Sequence, residues 1–251
     1  VPKKPPTPRQ LRKLARERFL KSRKAAASFE RQLVGVGKQV GSLIKDFSHA
    51  GITENIETIR AMLKRYAKII EPWARAVVRK MHDDVGRRDA VAWIEASREM
   101  GRVLRREIFH APTGETLRAA MESQVHLITS LPIQAAERVH ELTLEGITHA
   151  TRAGEIAKEI LRTGDVTASR ARLIARTETS RTGALLQESR AKYVGSTHYV
   201  WHAVMDSDTR PRHRYLNNKT FRWNDPPDAG EPGHPMRYNP GCGPNCRCWA
   251  E

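Results

Sequence analysis

The apolar positions of this chain recur at helical spacing over most of its length. No proline interrupts residues 9–47, and Leu33, Val36, Val40, Leu43, Ile44 and Phe47 line one face, which predicts an amphipathic helix with a break near residues 25–28. Gly51 ends that segment. Thr53 is a candidate N-cap with Glu54 and Glu57 in the first turn, and Ile59, Met62, Leu63, Tyr66, Ile70 and Trp73 extend a second helical face, bent at Pro72. Val91, Ile94, Val103 and Leu104 predict a third helix, residues 117–128 a fourth, and residues 133–147 a fifth that starts after a turn at Ser130, Leu131 and Pro132. Asp165 and Thr167 introduce a further helix over about residues 168–193, closed by Gly195.

Beyond Gly195 the pattern changes. Residues 198–205 are rich in aromatic and β-branched side chains and predict a strand, whereas Pro, Gly and Asn crowd residues 217–245. The expected fold is mainly α: an extended helical N-terminal region followed by a small α+β, loop-rich C-terminal module. The expected divisions are a basic arm over residues 1–31, a helical region over 32–150 and the module over 151–251. The module holds too little apolar content to be stable by burial alone, so it calls for a staple or a neighbour.

Charge adds a class of partner. The chain carries 44 Lys and Arg against 28 Asp and Glu, for a formal net charge of +16, which suits nucleic acid or an acidic protein surface. Residues 1–31 alone hold eleven basic and two acidic residues, behind a proline-rich lead that resists helix and sheet. Lys3, Lys4, Arg9, Arg12, Lys13, Arg16, Lys21, Arg23 and Lys24 are the candidate contacts to packaged double-stranded DNA or to a protein partner. Phe19 and Phe29 are the aromatics of that arm, too few for a base-stacking platform. No stretch approaches the roughly 20 apolar residues that span a bilayer, and the basic start lacks the apolar core of a secretory signal, so no membrane partner is expected.

The three cysteines, Cys242, Cys246 and Cys248, cluster near the end of the chain, an arrangement that fits metal binding in a reducing compartment better than a disulfide framework. In an extended segment Cys246 and Cys248 present both sulfurs on one side, and paired thiolates favour zinc. The preferred ligand set is Cys242, Cys246, Cys248 and His213, with His234 as the alternative to His213. His198 and His202 suit the role less because they lie on a strand that should be packed. The C-x3-C-x-C spacing is not a common finger spacing, so free structural cysteines or a Cys242–Cys246 disulfide stand as alternatives. Arg247 is expected to matter less than its two neighbours.

The order of several short motifs carries a resemblance. Leu173-Ile-Ala-Arg-Thr-Glu178 is followed by Tyr199-Val-Trp201, Asp206-Ser-Asp-Thr-Arg210 with His213, Gly233-His-Pro235 and Asn245-Cys-Arg-Cys-Trp249. Over about residues 135–251 this series closely resembles the Mu protein F-like family of phage head morphogenesis proteins. The resemblance implies a minor capsid protein of the virion, present in few copies, assembled in the host cytoplasm, associated with the portal and with capsid or scaffold proteins, and not an enzyme. The chain departs from the family pattern in residues 236–244, which intervene between Gly-His-Pro and Cys-Arg-Cys and add Cys242.

Asp206, Arg210 and His213 also contain the raw material of acid–base or hydrolytic metal chemistry, and a metal-dependent nuclease using His213, Asp206 and His234 is the alternative, beside a plain DNA-binding module. The structural reading is preferred: Asp206 accepting backbone N–H groups, Arg210 bridging carbonyls, Trp201, Trp223 and Trp249 supplying the core, and Arg176 and Glu178 docking the preceding helix on the module.

Overall fold

Helix α1 (Ala26–Lys45) starts at the expected break and buries Leu33, Val36, Val40 and Ile44 of the stripe read from the spacing, together with Phe29, while Leu43 and Phe47 are half-buried. It belongs to a computed structural model that describes residues 25–48, 51–97 and 110–251, together with Lys13, Arg16 and Glu17. Lys3, Lys4, Arg9, Arg12, Lys21, Arg23 and Lys24 lie outside the described residues, while Lys13 and Arg16 are helical and exposed. The elements that follow are α2 (Ile56–Ile69), α3 (Glu71–Ser97), α4 (Thr113–Thr148), α5 (Ala153–Leu161), α6 (Thr163–Tyr193), β1 (His198–His202), α7 (Pro211–Leu216), β2 (Thr220–Arg222) and β3 (Trp249–Ala250). The protein is therefore mainly helical, with a small sheet in its C-terminal module.

Several boundaries differ from the sequence reading. Val91 and Ile94, read as a third helix, continue α3, while Val103 and Leu104 lie outside the described residues, and the residue before α2 is Asn55 rather than Thr53. Three further differences have a physical reason. The bend expected at Pro72 is a break: α2 stops at Ile69 and α3 starts at Glu71, which puts Pro72 in a first turn where its missing N–H costs no hydrogen bond. The turn expected at Ser130, Leu131 and Pro132 is absent, and α4 runs straight through it. Val125, Ile128, Leu131, Ala135 and Val139 form one buried face across the proline, so packing on both sides outweighs the single lost N–H bond. Helix α6 begins five residues earlier than read, directly after α5, so that Asp165 sits in its first turn, where a carboxylate favours the positive helix end.

The chain forms two compact units. One comprises Ser28–Arg79 and Met121–Ala175. Its core joins Val40, Ile44, Ile52, Ile59 and Leu63 to Ala135, Ala136, Val139, Ile156 and Ile160. Within this unit α1 meets the start of α6 backbone to backbone: a Cβ on Gly37 would stand 2.5 Å from the Ala168 nitrogen, and one on Gly164 2.6 Å from the Gly41 Cα. Glycine is required at this crossing because any side chain would push the helices apart.

The other unit comprises the described residues of Val1–Ala27, Lys80–Ala120 and Arg176–Glu251. A buried ion pair, Arg190 Nε to Asp89 at 2.9 Å, ties α6 to α3 inside it. Its apolar core is aromatic, with Tyr199, Trp201 and Trp223 packed among Ala203, Leu216, Ala229 and the two cysteines Cys246 and Cys248.

The glycine crossing gives a paired prediction. Gly37→Ala should lower stability by about 1–3 kcal/mol through overpacking. Gly35→Ala, on the exposed face of the same helix with nothing within 4 Å of the new methyl, should raise it by about 0.5–1 kcal/mol. Urea unfolding of the two variants checks this, and equal shifts would contradict the crossing.

Candidate metal centre

Strand β1 is the middle strand of an antiparallel sheet ordered β2-β1-β3, with Tyr199 opposite Phe221 and His202 opposite Trp249. Side chains two residues apart on a strand share a face, so Tyr199 and Trp201 both enter the core, and Trp201 is fully buried. Helix α7, begun by Pro211 at its first position, turns His213 and Leu216 toward that core. The His213 ring meets Trp201 edge to face, with centroids 5.5 Å apart.

Cys246 and Cys248 reach the same imidazole from the other side. The Cys248 Sγ lies 3.3 Å and the Cys246 Sγ 3.9 Å from His213 Nδ1, and the three ligand atoms all fall within 4.8 Å of one another. A tetrahedral ion with ordinary zinc–sulfur and zinc–nitrogen bonds separates such atoms by about 3.5 Å, so the observed pair of distances brackets the requirement. All three residues are buried.

The far ring nitrogen fixes the tautomer. Tyr238 donates its hydroxyl proton to the Ala229 carbonyl at 2.8 Å, and His213 Nε2 stands 3.0 Å from the Tyr238 oxygen and 3.2 Å from the same carbonyl. With acceptors on that side, Nε2 carries the hydrogen and Nδ1 keeps its lone pair for a metal, which is the role an outer hydrogen bond plays at metal-bound histidines. Asp228 holds the Ala229 carbonyl in place by accepting N–H bonds from Gly230 at 3.1 Å and Met236 at 2.9 Å, and those bonds lower its carboxyl below the usual range.

The electrostatics of the sulfurs agree with this geometry. A hydrogen bond from Cys248, with His213 alongside, holds the Cys246 thiol well below its usual range even though burial opposes ionisation. The same hydrogen bond and burial push Cys248 up. Cys242 is different: burial pushes its thiol up to about 12.

Between the two cysteines Arg247 donates two hydrogen bonds of 2.6 Å to Asp206. Asp206 also accepts the Thr209 hydroxyl at 3.0 Å. Burial opposes the charge on Asp206, but the bonds from Arg247 and Thr209 outweigh it, and its carboxyl is lowered. Arg214 donates to the Thr209 carbonyl at 3.0 Å and to the Asp206 carbonyl. Arg210 pairs with Glu231 at 2.7 Å and donates to the Pro244 carbonyl at 2.9 Å. At the end of the segment the Asn245 N–H donates to Thr177 Oγ1 on α6 at 2.9 Å.

Residues 137–251 match the family described as phage Mu protein F like protein. This segment belongs to the phage Mu protein F-like family. An uncharacterized protein of Haemophilus influenzae is 29% identical to the chain over 135 residues, covering 53% of this chain and 28% of that protein. The chain thus spans well under a third of the length of that relative. No solved structure matches.

Within the Mu F-like segment the structure gathers His213, Cys246 and Cys248 and leaves Cys242 and His234 out of the group. His234 is exposed on a loop bridged to Glu231. His202, also out of the group, is buried with its Nε2 2.5 Å from a Glu251 carboxylate oxygen and stacks on Trp249. Trp201 and Trp223 are core residues and Trp249 is partly covered. Glu178 is buried with Arg181 at 3.9 Å, while Arg176 is exposed and lines the same cavity as His213, Cys246 and Cys248.

Asp206 accepts a backbone N–H, that of Asp208, and Arg210 donates to a carbonyl, that of Pro244, in the roles read for them. Two further residues share those roles: Arg247, expected to matter less than its neighbours, donates its guanidinium to Asp206, and Arg214 bridges the Thr209 and Asp206 carbonyls. A signal for Arg247 was available: a guanidinium between two buried cysteines needs an acidic partner close by.

The Asp206 brace is predicted to be pH-sensitive. Its folded carboxyl is lowered, so its stabilisation is present above the ordinary carboxylate value of about 3.9 and is lost as pH falls through the lower folded one. The amide protection factor of Thr209, whose N–H donates to the Asp206 carbonyl, should fall below about pH 4, and Asp206→Asn should show the reduced protection already at pH 6. Protection unchanged between pH 6 and pH 3 would contradict the brace.

Proposed function

We propose that the protein is a minor head component of a tailed bacteriophage, acting in head morphogenesis at the portal vertex or capsid interior after assembly in the host cytoplasm. The observation that supports this reading is the Mu F-like match over residues 137–251, and the geometry of that segment is consistent with it. Its charged side chains are engaged in bracing loops to one another: Arg247 to Asp206, Arg210 to Glu231, Arg212 to Asp228 and Arg237 to Asp225. Such a module offers a fixed surface for docking on portal, capsid or scaffold protein, with no turnover required of it.

Zinc is the ion we assign to His213, Cys246 and Cys248, because two thiolates and an imidazole in tetrahedral reach suit a borderline-soft cation with no geometric demands of its own. Bound there it ties α7 to the segment before β3 and adds directly to the folding free energy of a module with a small core. The basic arm, including the exposed Lys13 and Arg16, contacts packaged DNA through phosphate or an acidic portal surface. Among the described residues no helix is long and apolar enough to cross a membrane.

The direct test is protein mass spectrometry of gradient-purified particles. The reading predicts the chain in particles at a low, fixed ratio to the major capsid protein, and its complete absence from particles that package DNA normally would overturn it. One observation favours a second reading: the three candidate ligands border a polar cavity, as at hydrolytic zinc sites. Plasmid cleaved by the zinc- or Mn²⁺-loaded chain and left intact by His213→Ala would establish that nuclease reading instead.

A further inference from the structure

Three ligands leave one corner of a tetrahedron to be filled. Among the described residues no fourth His, Cys, Asp or Glu has its ligand atom within 4.8 Å of those of His213, Cys246 and Cys248 together. The Tyr238 hydroxyl is at the wrong ring nitrogen, 3.0 Å from Nε2. All three ligands border one cavity of about 250 Å³, and among the described residues its wall carries a single carboxylate, that of Asp208, beside the guanidiniums of Arg176, Arg210 and Arg247.

Asp208 is fixed through its main chain and loose at its side chain. Its N–H donates to the Asp206 carboxylate, the Thr209 N–H donates to the Asp206 carbonyl at 3.1 Å, and Arg214 donates to the Asp206 and Thr209 carbonyls at the two ends of this turn. Arg247 then clamps the turn to the cysteine segment through Asp206. The Asp208 carboxylate lies outside this network: its side chain is 81% exposed, and its contact with Arg247, at 3.7 Å, is too long for a hydrogen bond. So exposed an ion pair does little to hold the side chain where it stands. A zinc ion, by contrast, takes a carboxylate oxygen at about 2.0–2.2 Å, and structural zinc sites are closed by four protein ligands. Charge also permits the bond. Two thiolates and a neutral imidazole cancel the charge of a divalent ion, so a carboxylate leaves the centre with one negative charge, set in a wall whose remaining charged side chains are all cationic.

We propose that Asp208 is the fourth ligand, its exposed side chain turning across the cavity to close a centre of Asp208, His213, Cys246 and Cys248. This rests on the metal reading of the other three residues. The ion then joins three pieces of chain, the turn over residues 206–209, helix α7 and the segment before β3, and the Arg247 clamp on Asp206 positions the turn that supplies the carboxylate. A shell closed by protein leaves no position for a water nucleophile, which separates this centre from hydrolytic zinc sites.

The test uses the full chain loaded with Co²⁺, whose visible bands report coordination, and azide as the probe of an open position. The parent should show sulfur-to-cobalt charge transfer from two thiolates, with ligand-field bands that azide leaves unchanged. Asp208→Ala should bind Co²⁺ at least about tenfold more weakly, the smaller of the losses that follow removal of a group supporting a metal site, and its bands should shift saturably with azide. Asp225→Ala removes a similarly exposed carboxylate of the same module, paired with Arg237, and should match the parent in both respects. A parent whose bands respond to azide, or an Asp208→Ala variant with the parent's affinity for Co²⁺, would overturn Asp208 as a ligand while leaving the three-residue site intact. A parent that takes up no Co²⁺ would overturn the metal reading and this proposal with it.

Discussion

The convergence of Cys246 and Cys248 on His213, with Arg247 clamped to Asp206 between them, is the constraint on which the C-terminal module depends. Side chains two residues apart in an extended segment share a side, which brings both sulfurs to the imidazole. The intervening guanidinium clamps Asp206 with two bonds of 2.6 Å. One short segment thereby fixes both the helix α7 that carries His213 and the loop that precedes it. The arrangement supplies with polar contacts what the module lacks in apolar area, since its core amounts to a few aromatics and small residues around β1.

Polar bracing of this kind is demanding, because each buried group must find its partner. The structure shows how the demand is met in layers. Asp228 orders its loop through two backbone N–H groups, the ordered loop presents the Ala229 carbonyl, and that carbonyl receives Tyr238 and sets the proton on His213. Gly243 belongs to the same chain of causes, since a side chain at that position would overlap the Tyr238 ring. The residues that could hold a metal are thus held themselves by residues that never touch it.

The helical half was legible where one face decided the outcome. Leu33, Val36, Val40 and Ile44 at spacings of three and four gave α1, and Ile59 and Leu63 gave α2. Local rules misled where tertiary packing competed with them, as at Pro132, whose break signal loses to the buried face running from Val125 to Val139. Helix α5 escaped notice because Ile156 and Ile160 alone mark its face. At the candidate site, residue type and spacing pointed to Cys246, Cys248 and His213, since period-two geometry is local. Cys242 also looked like a ligand, and only the folded path of residues 239–246 sets it apart. Partners distant in sequence, such as Asp206 with Arg247 and Asp228 with Met236, leave no local pattern to read.

The same economy of structure runs through the segment that matches the phage Mu protein F-like family, where ionic and thiol contacts hold the loops to one another. The core assertion concerns what lies around one metal ion. Zinc X-ray absorption on the intact chain examines that shell directly, because sulfur at about 2.3 Å is readily separated from nitrogen or oxygen at about 2.0–2.1 Å. The account requires a shell of two sulfurs and two lighter atoms. A shell of three sulfurs, or one without sulfur, would contradict it.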